Sequence, residues 1–277
     1  MTFTKYAAVA LLALGLTPAA MAGRIVLTGH DNDFHRSTGA VLQTQASVNY
    51  LVGSTTTKKV LVISNGGVGG QAATLMGLTS QFGNAADRVV KTVASITALD
   101  FDFNLYSMFV VASITTCGGC QNPVGTGLAL SAFSTAIGDF FNLGGGILGL
   151  TSAGDIGGFA YAPEAATAAS LSATSGFVAT ANGIADIPGF VAVNGDATHN
   201  TFSEPGTGGT SSVYRVAERF GTNGLAVTIY AEGRVVCVPG TAGCTFTTVP
   251  EPLSLALVGL GLLGIGITRK RVSVAAA

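Results

Sequence analysis

Four short stretches of this chain are apolar at nearly every position: residues 24–29 (RIVLTG), 59–64 (KVLVIS), 106–113 (YSMFVVAS) and 146–151 (GILGLT). A strand with one wet face alternates apolar and polar side chains, whereas a near-continuous run reads as a strand buried on both faces. Helix-like stretches separate the runs, over residues 38–51, 71–82 and 127–143. The last has Leu130, Phe133, Ile137, Phe140 and Phe141 at helical spacing, and Gly144-Gly145-Gly146 to end it. Strands alternating with helices predict a mostly parallel sheet covered by helices on both faces. Residues 214–220 and 225–231 instead alternate, and 221–224 connects them as a hairpin turn would, which predicts an antiparallel edge or flap. There is no internal repeat.

The two ends of the chain read differently. Lys5 is a positive n-region, residues 7–16 are an apolar h-region, and Ala20-Met21-Ala22 is an A-x-A cleavage site, so residues 1–22 read as a signal peptide and the mature chain starts at Gly23. At the other end, Pro250-Glu251-Pro252 precedes an apolar run over 253–268 and the basic triplet Arg269-Lys270-Arg271. A spanning helix needs roughly 20 apolar residues, so this one is slightly short and relies on its flanks or a thin bilayer. The prolines set its start. The basic stop stays cytoplasmic, which puts the body of the chain across the membrane.

Proline-Glu-Pro, span and basic stop in this order resemble the PEP-CTERM signal of exported bacterial proteins. The resemblance implies that residues 249–277 are a sorting tail, with Pro250, Glu251 and Pro252 as the element read by a membrane protease, the exosortase. Arg269, Lys270 and Arg271 are its stop. It also implies delivery to the cell surface or extracellular matrix, with extracellular polysaccharide as one partner class.

Residues 23–248 remain, enough for one large domain. The whole chain is 10% charged and 48% hydrophobic, with 39 Gly, no Trp and a net charge of −1, which gives no basis for nucleic acid as a partner. All four cysteines, Cys117, Cys120, Cys237 and Cys244, fall in the exported part, where disulfides are the default. The local pairs Cys117–Cys120 and Cys237–Cys244 are the first choice among three pairings. Cys117-Gly-Gly-Cys120 also has redox spacing, but turn residues follow it rather than the helix start that would lower a thiol pKa.

The opening 24–35 (RIVLTGHDNDFH), the strand ending in Ala112-Ser113 and residues 140–152 resemble the class I glutamine amidotransferase-like superfamily, its trehalose-utilisation-type branch being nearest. That resemblance implies a flavodoxin-like sheet. In such sheets ligands sit outside the carboxyl ends of the strands. Three places there could carry chemistry. The first is His30-Asp31-Asn32-Asp33-Phe34-His35, with His199 as a distant contributor. Its carboxylates and imidazoles suit a divalent metal or a polar ligand, the alternative being a polar turn in which Asp31 and Asn32 cap backbone groups. No cofactor is expected otherwise. The second is Ser152, where the resemblance puts a nucleophile; a Ser152–His199 pair with Glu218 as orienter is conceivable. Leu150 replaces the first Gly of an elbow motif, and with no Cys there, glutamine hydrolysis by a thiolate is excluded. The third, Gly67-x-Gly69-x-x-Ala72, matches a dinucleotide fingerprint but reads better as a flexible turn.

The expectation is an exported surface or matrix protein with a non-catalytic α/β domain and a ligand crevice near 30–35. The alternative is a metal-dependent or Ser-dependent hydrolase or carbohydrate-active enzyme in that crevice. A disulfide-exchange protein would need Cys117 or Cys120 accessible at a helix N-terminus.

Overall fold

In the computed structural model the four apolar runs become β1 (Gly23–Thr28), β2 (Lys59–Ile63), β4 (Tyr106–Val111) and β5 (Gly146–Gly149). The residues described are 22–53, 56–114, 119–152, 154–155, 157–221, 224–237 and 244–247. β3 (Arg88–Lys91) joins these four in parallel, in the order β3-β2-β4-β5-β1. Successive side chains go to opposite faces. Ile25, Leu27, Leu61, Ile63, Phe109, Val111 and Ile147 enter one core. Val26, Val60, Val62, Met108, Val110 and Leu148 enter the other. That double burial is why these runs carry no polar alternation.

Helices cover both faces, as expected. α2 (Thr38–Val52) and α3 (Gln71–Gly77) pack Ala46, Val48, Leu51, Leu75 and Met76 into the second core. α4 (Thr126–Ser131) and α5 (Ser134–Asn142) pack Leu130, Ile137, Phe140 and Phe141 into the first. Each such buried side chain contributes about 1.5–3 kcal/mol. Residues 127–143 therefore form two helices rather than one, broken at Ala132 and Phe133. The helix predicted over 71–82 ends at Gly77. There the Arg88 guanidinium lies where a Cβ on Gly77 would sit.

Among the described residues six further strands are antiparallel: β6 (Ala168–Ala173), β7 (Phe177–Ala179), β8 (Thr198–Phe202), β9 (Arg215–Phe220), β10 (Leu225–Cys237) and β11 (Cys244–Thr247). The predicted hairpin is β9–β10, with Leu225 opposite Phe220. It is not an edge or flap. β10 pairs with β1 along Gly23–Thr28 and with β9 on its other side, then runs on to β11. The strand order also departs from the flavodoxin-like expectation, in which β1 lies between β2 and β3. Here β1 lies between β5 and β10. An apolar run specifies burial on two faces and leaves its neighbours open, so the order could not be read from the runs.

Cys237 and Cys244 form a disulfide where β10 turns into β11. Cys120 is buried and disulfide-bonded. Cys117 lies outside the described residues. α4 begins only at Thr126, so Cys120 does not stand at a helix N-terminus, as the exchange reading would ask of it. Residues 22–247 form one compact unit. Residues 1–21 of the predicted signal peptide (1–22) and the predicted tail over 249–277 lie outside the described residues. Among the described residues no helix is long and apolar enough to cross a membrane.

Candidate functional site

The parallel strands end at one rim. The His30 carbonyl accepts from Thr151 N at 3.1 Å, and the Thr151 carbonyl accepts from Ile114 N at 2.9 Å, lacing the ends of β1, β5 and β4 together. Beyond the rim the neighbouring chains part. After β1 the chain turns to the face of α2, while after β5 it turns to the other, where Phe159 and Tyr161 join the core. Adjacent strand ends whose loops diverge are where α/β sheets bind ligands.

His199 is brought to this rim by backbone contact. Its N–H and that of Asn200 donate to Gly29 O at 2.9 and 3.3 Å, and His30 bridges to Thr198. Gly29 makes this possible, because a Cβ there would lie 2.0 Å from Asn200 O. His199 therefore belongs to a strand, β8, not to the polar loop its sequence suggests.

Two histidine–carboxylate systems result. The first is sealed. His30 Nε2 bonds to Glu218 Oε2 at 2.9 Å, and Nδ1 meets the Thr198 hydroxyl at 2.6 Å, with both ionisable side chains fully buried. Glu218 accepts further bonds from Gln43 Nε2, Thr228 Oγ1 and Val193 N. Phe177 closes over His30 edge-on at 5.0 Å. Buried charge is tolerated only when paired and hydrogen-bonded in this way.

The second is open. α1 (Asn32–His35) is a single turn whose backbone bonds run from Phe34 N and His35 N to Asp31 O. Four-residue spacing puts His35 beside Asp31, with Nε2 3.3 Å from Oδ2. His199 Nε2 approaches the same oxygen at 3.1 Å. The Asp31 side chain is 1% exposed, His199 22% and His35 35%, so the carboxylate forms the floor and the imidazoles the mouth. Asp31 makes no capping bond, which removes the polar-turn reading for it. Among the described residues its Oδ1 is buried without a partner, as is Asn32 Oδ1. The left-handed Arg36 ends the turn.

The other predicted residues go elsewhere. Asp33 turns inward and accepts from Ser113 N at 3.1 Å and from the Ser113 hydroxyl. Burial raises its pKa to about 6, assisted by the neighbouring Asp31 charge and opposed by the Ser113 bonds. Ser152 Oγ donates to Asn200 Oδ1 at 3.3 Å, and Ser152 N to the same atom at 2.8 Å. Glu218 orients His30 rather than His199, so the residues of the conceivable triad are committed to three different partners. In the Gly-rich turn, Gln121 Oε1 accepts from Gln71 N at 2.8 Å and fills the space beside Gly66 and Gly70. The chain's own side chain thus occupies the place a phosphate would take in a dinucleotide site.

Gln43, Thr198, Thr228 and Ser113, which hold these groups, were not singled out by sequence. A signal existed for one of them: Gln43, Thr44 and Ser47 are polar residues on the buried side of α2. A cleft lined by Arg24, Tyr50, Asp186, Arg215 and Glu232 opens elsewhere, at the starting end of β1. Its charges pair among themselves, Arg24 with Glu232 and Arg215 with Asp186.

Residues 248–271 match the family described as the PEP-CTERM protein-sorting motif. No curated protein and no solved structure matches the chain.

Proposed function

We propose that this protein, which its sorting motif marks as exported, processed by exosortase at the cell envelope and then located at the cell surface or outside the cell, delivers there an α/β binding domain that takes a small polar ligand outside the carboxyl ends of β1 and β5. The observation that carries this reading is the convergence of Asp31, His35 and His199 on one oxygen of a buried, half-satisfied carboxylate. The amidotransferase-like resemblance of the body adds only the same location for the ligand. The non-catalytic reading is supported by Ser152 donating to Asn200 Oδ1 while His199 bonds Asp31. A metal-dependent hydrolase at the same crevice is the second reading, favoured by the solvent-facing imidazoles.

A panel of sugars, carboxylates and divalent ions tests the binding reading by thermal shift on the full chain in detergent. Ligands that stabilise the wild type should lose their effect in Asp31→Ala. A panel without any hit, or hits untouched by that substitution, would refute the crevice. Replacing Pro250, Glu251 and Pro252 with Ala should leave the precursor unprocessed and off the surface, read by immunoblot and surface labelling.

A further inference from the structure

We infer that Asp31, His35 and His199 form a site for one divalent transition-metal ion, with at least one coordination position left to solvent. This rests on the crevice reading above and names the class of its ligand.

Spacing is the first argument. One carboxylate oxygen and two imidazole nitrogens, from α1 and from β8, lie within 4.8 Å of one another. The two Nε2 atoms are 3.1 and 3.3 Å from Asp31 Oδ2. Ligand atoms about 2.1 Å from a tetrahedral ion are about 3.4 Å apart, and those at neighbouring octahedral positions about 3.0 Å. Both imidazoles therefore stand from the carboxylate at the separation a shared ion imposes, and from each other within 4.8 Å.

Burial is the second and independent argument. Asp31 is a carboxylate with 1% of its side chain exposed, and its Oδ1 has no hydrogen-bond partner among the described residues. Burying an ionised group is costly unless it is paired and fully hydrogen-bonded. The sealed Glu218 nearby receives four bonds. Among the described residues Asp31 receives only the two imidazoles, both on its other oxygen. Two partly exposed histidines bonding one oxygen leave the other without a donor or counter-charge and do not offset that cost. A cation between the three groups does, and Oδ1 is available to the same ion.

The donor set selects the metal. Calcium takes six to eight oxygens and magnesium keeps several waters, whereas two imidazoles with one carboxylate suit zinc, iron(II), nickel or copper. The number of donors selects the kind of site. Closed structural zinc sites use four protein ligands, while sites with three protein ligands keep a position for water or substrate. His35, about one-third exposed, is on the open side. The ligand positions are held by backbone: the single turn of α1 fixes His35, and the Gly29 carbonyl fixes His199.

The test uses the full chain in detergent, stripped with a chelator and then loaded with zinc(II) or cobalt(II). One ion per chain by elemental analysis is expected, with at least tenfold weaker zinc binding in Asp31→Ala, in His35→Ala and in His199→Ala. His35 is partly exposed, so the metal-free His35→Ala chain should keep the wild-type circular dichroism and melting point. Cobalt(II) should give visible d–d bands that shift when azide is added. Less than stoichiometric metal, or zinc bound equally by a His35→Ala/His199→Ala double variant, overturns the site. Cobalt bands unmoved by azide overturn the open position. A polar ligand that stabilises the metal-free chain through Asp31, with no metal bound, overturns the metal and leaves the crevice reading standing. No metal and no ligand would sink both.

Discussion

His30 with Glu218, and His35 and His199 with Asp31, use the same chemical groups a few residues apart, yet they end in opposite states. Glu218 is buried with every contact satisfied, and Phe177 covers its histidine. Asp31 is as deeply buried, but one oxygen is orphaned and its histidines face solvent. The difference teaches how to separate a structural polar network from a binding site. A group that holds the fold together has its hydrogen bonds closed by the chain itself, whereas a group kept for a ligand leaves one unmade.

The largest expected effect falls on the sealed side. Glu218→Ala strands His30, Gln43 and Val193 N without their acceptor and should destabilise the chain by about 3–5 kcal/mol, read by urea denaturation. A loss under about 1 kcal/mol would mean the two systems do not differ as described. Next is Asp33, whose pKa of about 6 lies above the ordinary 3.8. The native state then holds its proton more tightly than the unfolded chain, so this stability is full below about pH 4 and is lost as pH rises through about 6. In the metal-free chain the loss amounts to about 3 kcal/mol, and Asp33→Asn should remove that slope between pH 4 and pH 7. An unchanged slope would show that Asp33 does not titrate in this window.

Smaller effects sharpen the contrast at the open side. Gly29→Ala places a Cβ against the Asn200 carbonyl and should cost about 1–3 kcal/mol. It should also weaken zinc binding at least tenfold, by isothermal titration, although it touches no metal donor. Full retention of zinc would mean that the β1–β8 contact does not position His199. The smallest loss of stability belongs to Asp31→Asn. Removing a buried charge with an orphaned oxygen should leave the metal-free chain at least as stable as wild type, while metal binding weakens at least tenfold. A loss as large as that of Glu218→Ala would place Asp31 among the structural groups.

Much of the parallel block is legible in the sequence because its strands must be buried on both faces: β1, β2, β4 and β5 read as apolar runs. β3 is not, since Arg88-Val89-Val90-Lys91 is short, charged at both ends and only partly buried. Strand order is not legible, because β1 finds its neighbour β10 some two hundred residues away through backbone bonds that leave no side-chain signature. Of the site, the cluster His30–His35 is visible as a dense polar segment after an apolar strand. Its division into Asp31 at the floor and His35 at the mouth, with His30 and Asp33 bonded inside, follows from the single turn of α1, too short for periodicity to reveal. His199 sits in Thr198-His199-Asn200-Thr201-Phe202, a strand whose polar residues hide it from hydropathy. The three-donor cluster therefore had to wait for the fold.

X-ray absorption at the zinc edge of the loaded full chain tests the central claim most directly. The account predicts two imidazole scatterers and carboxylate oxygen at about 2.0–2.2 Å, with the imidazole count halved in His199→Ala. A shell of oxygen alone, or one unaltered by that substitution, would contradict it.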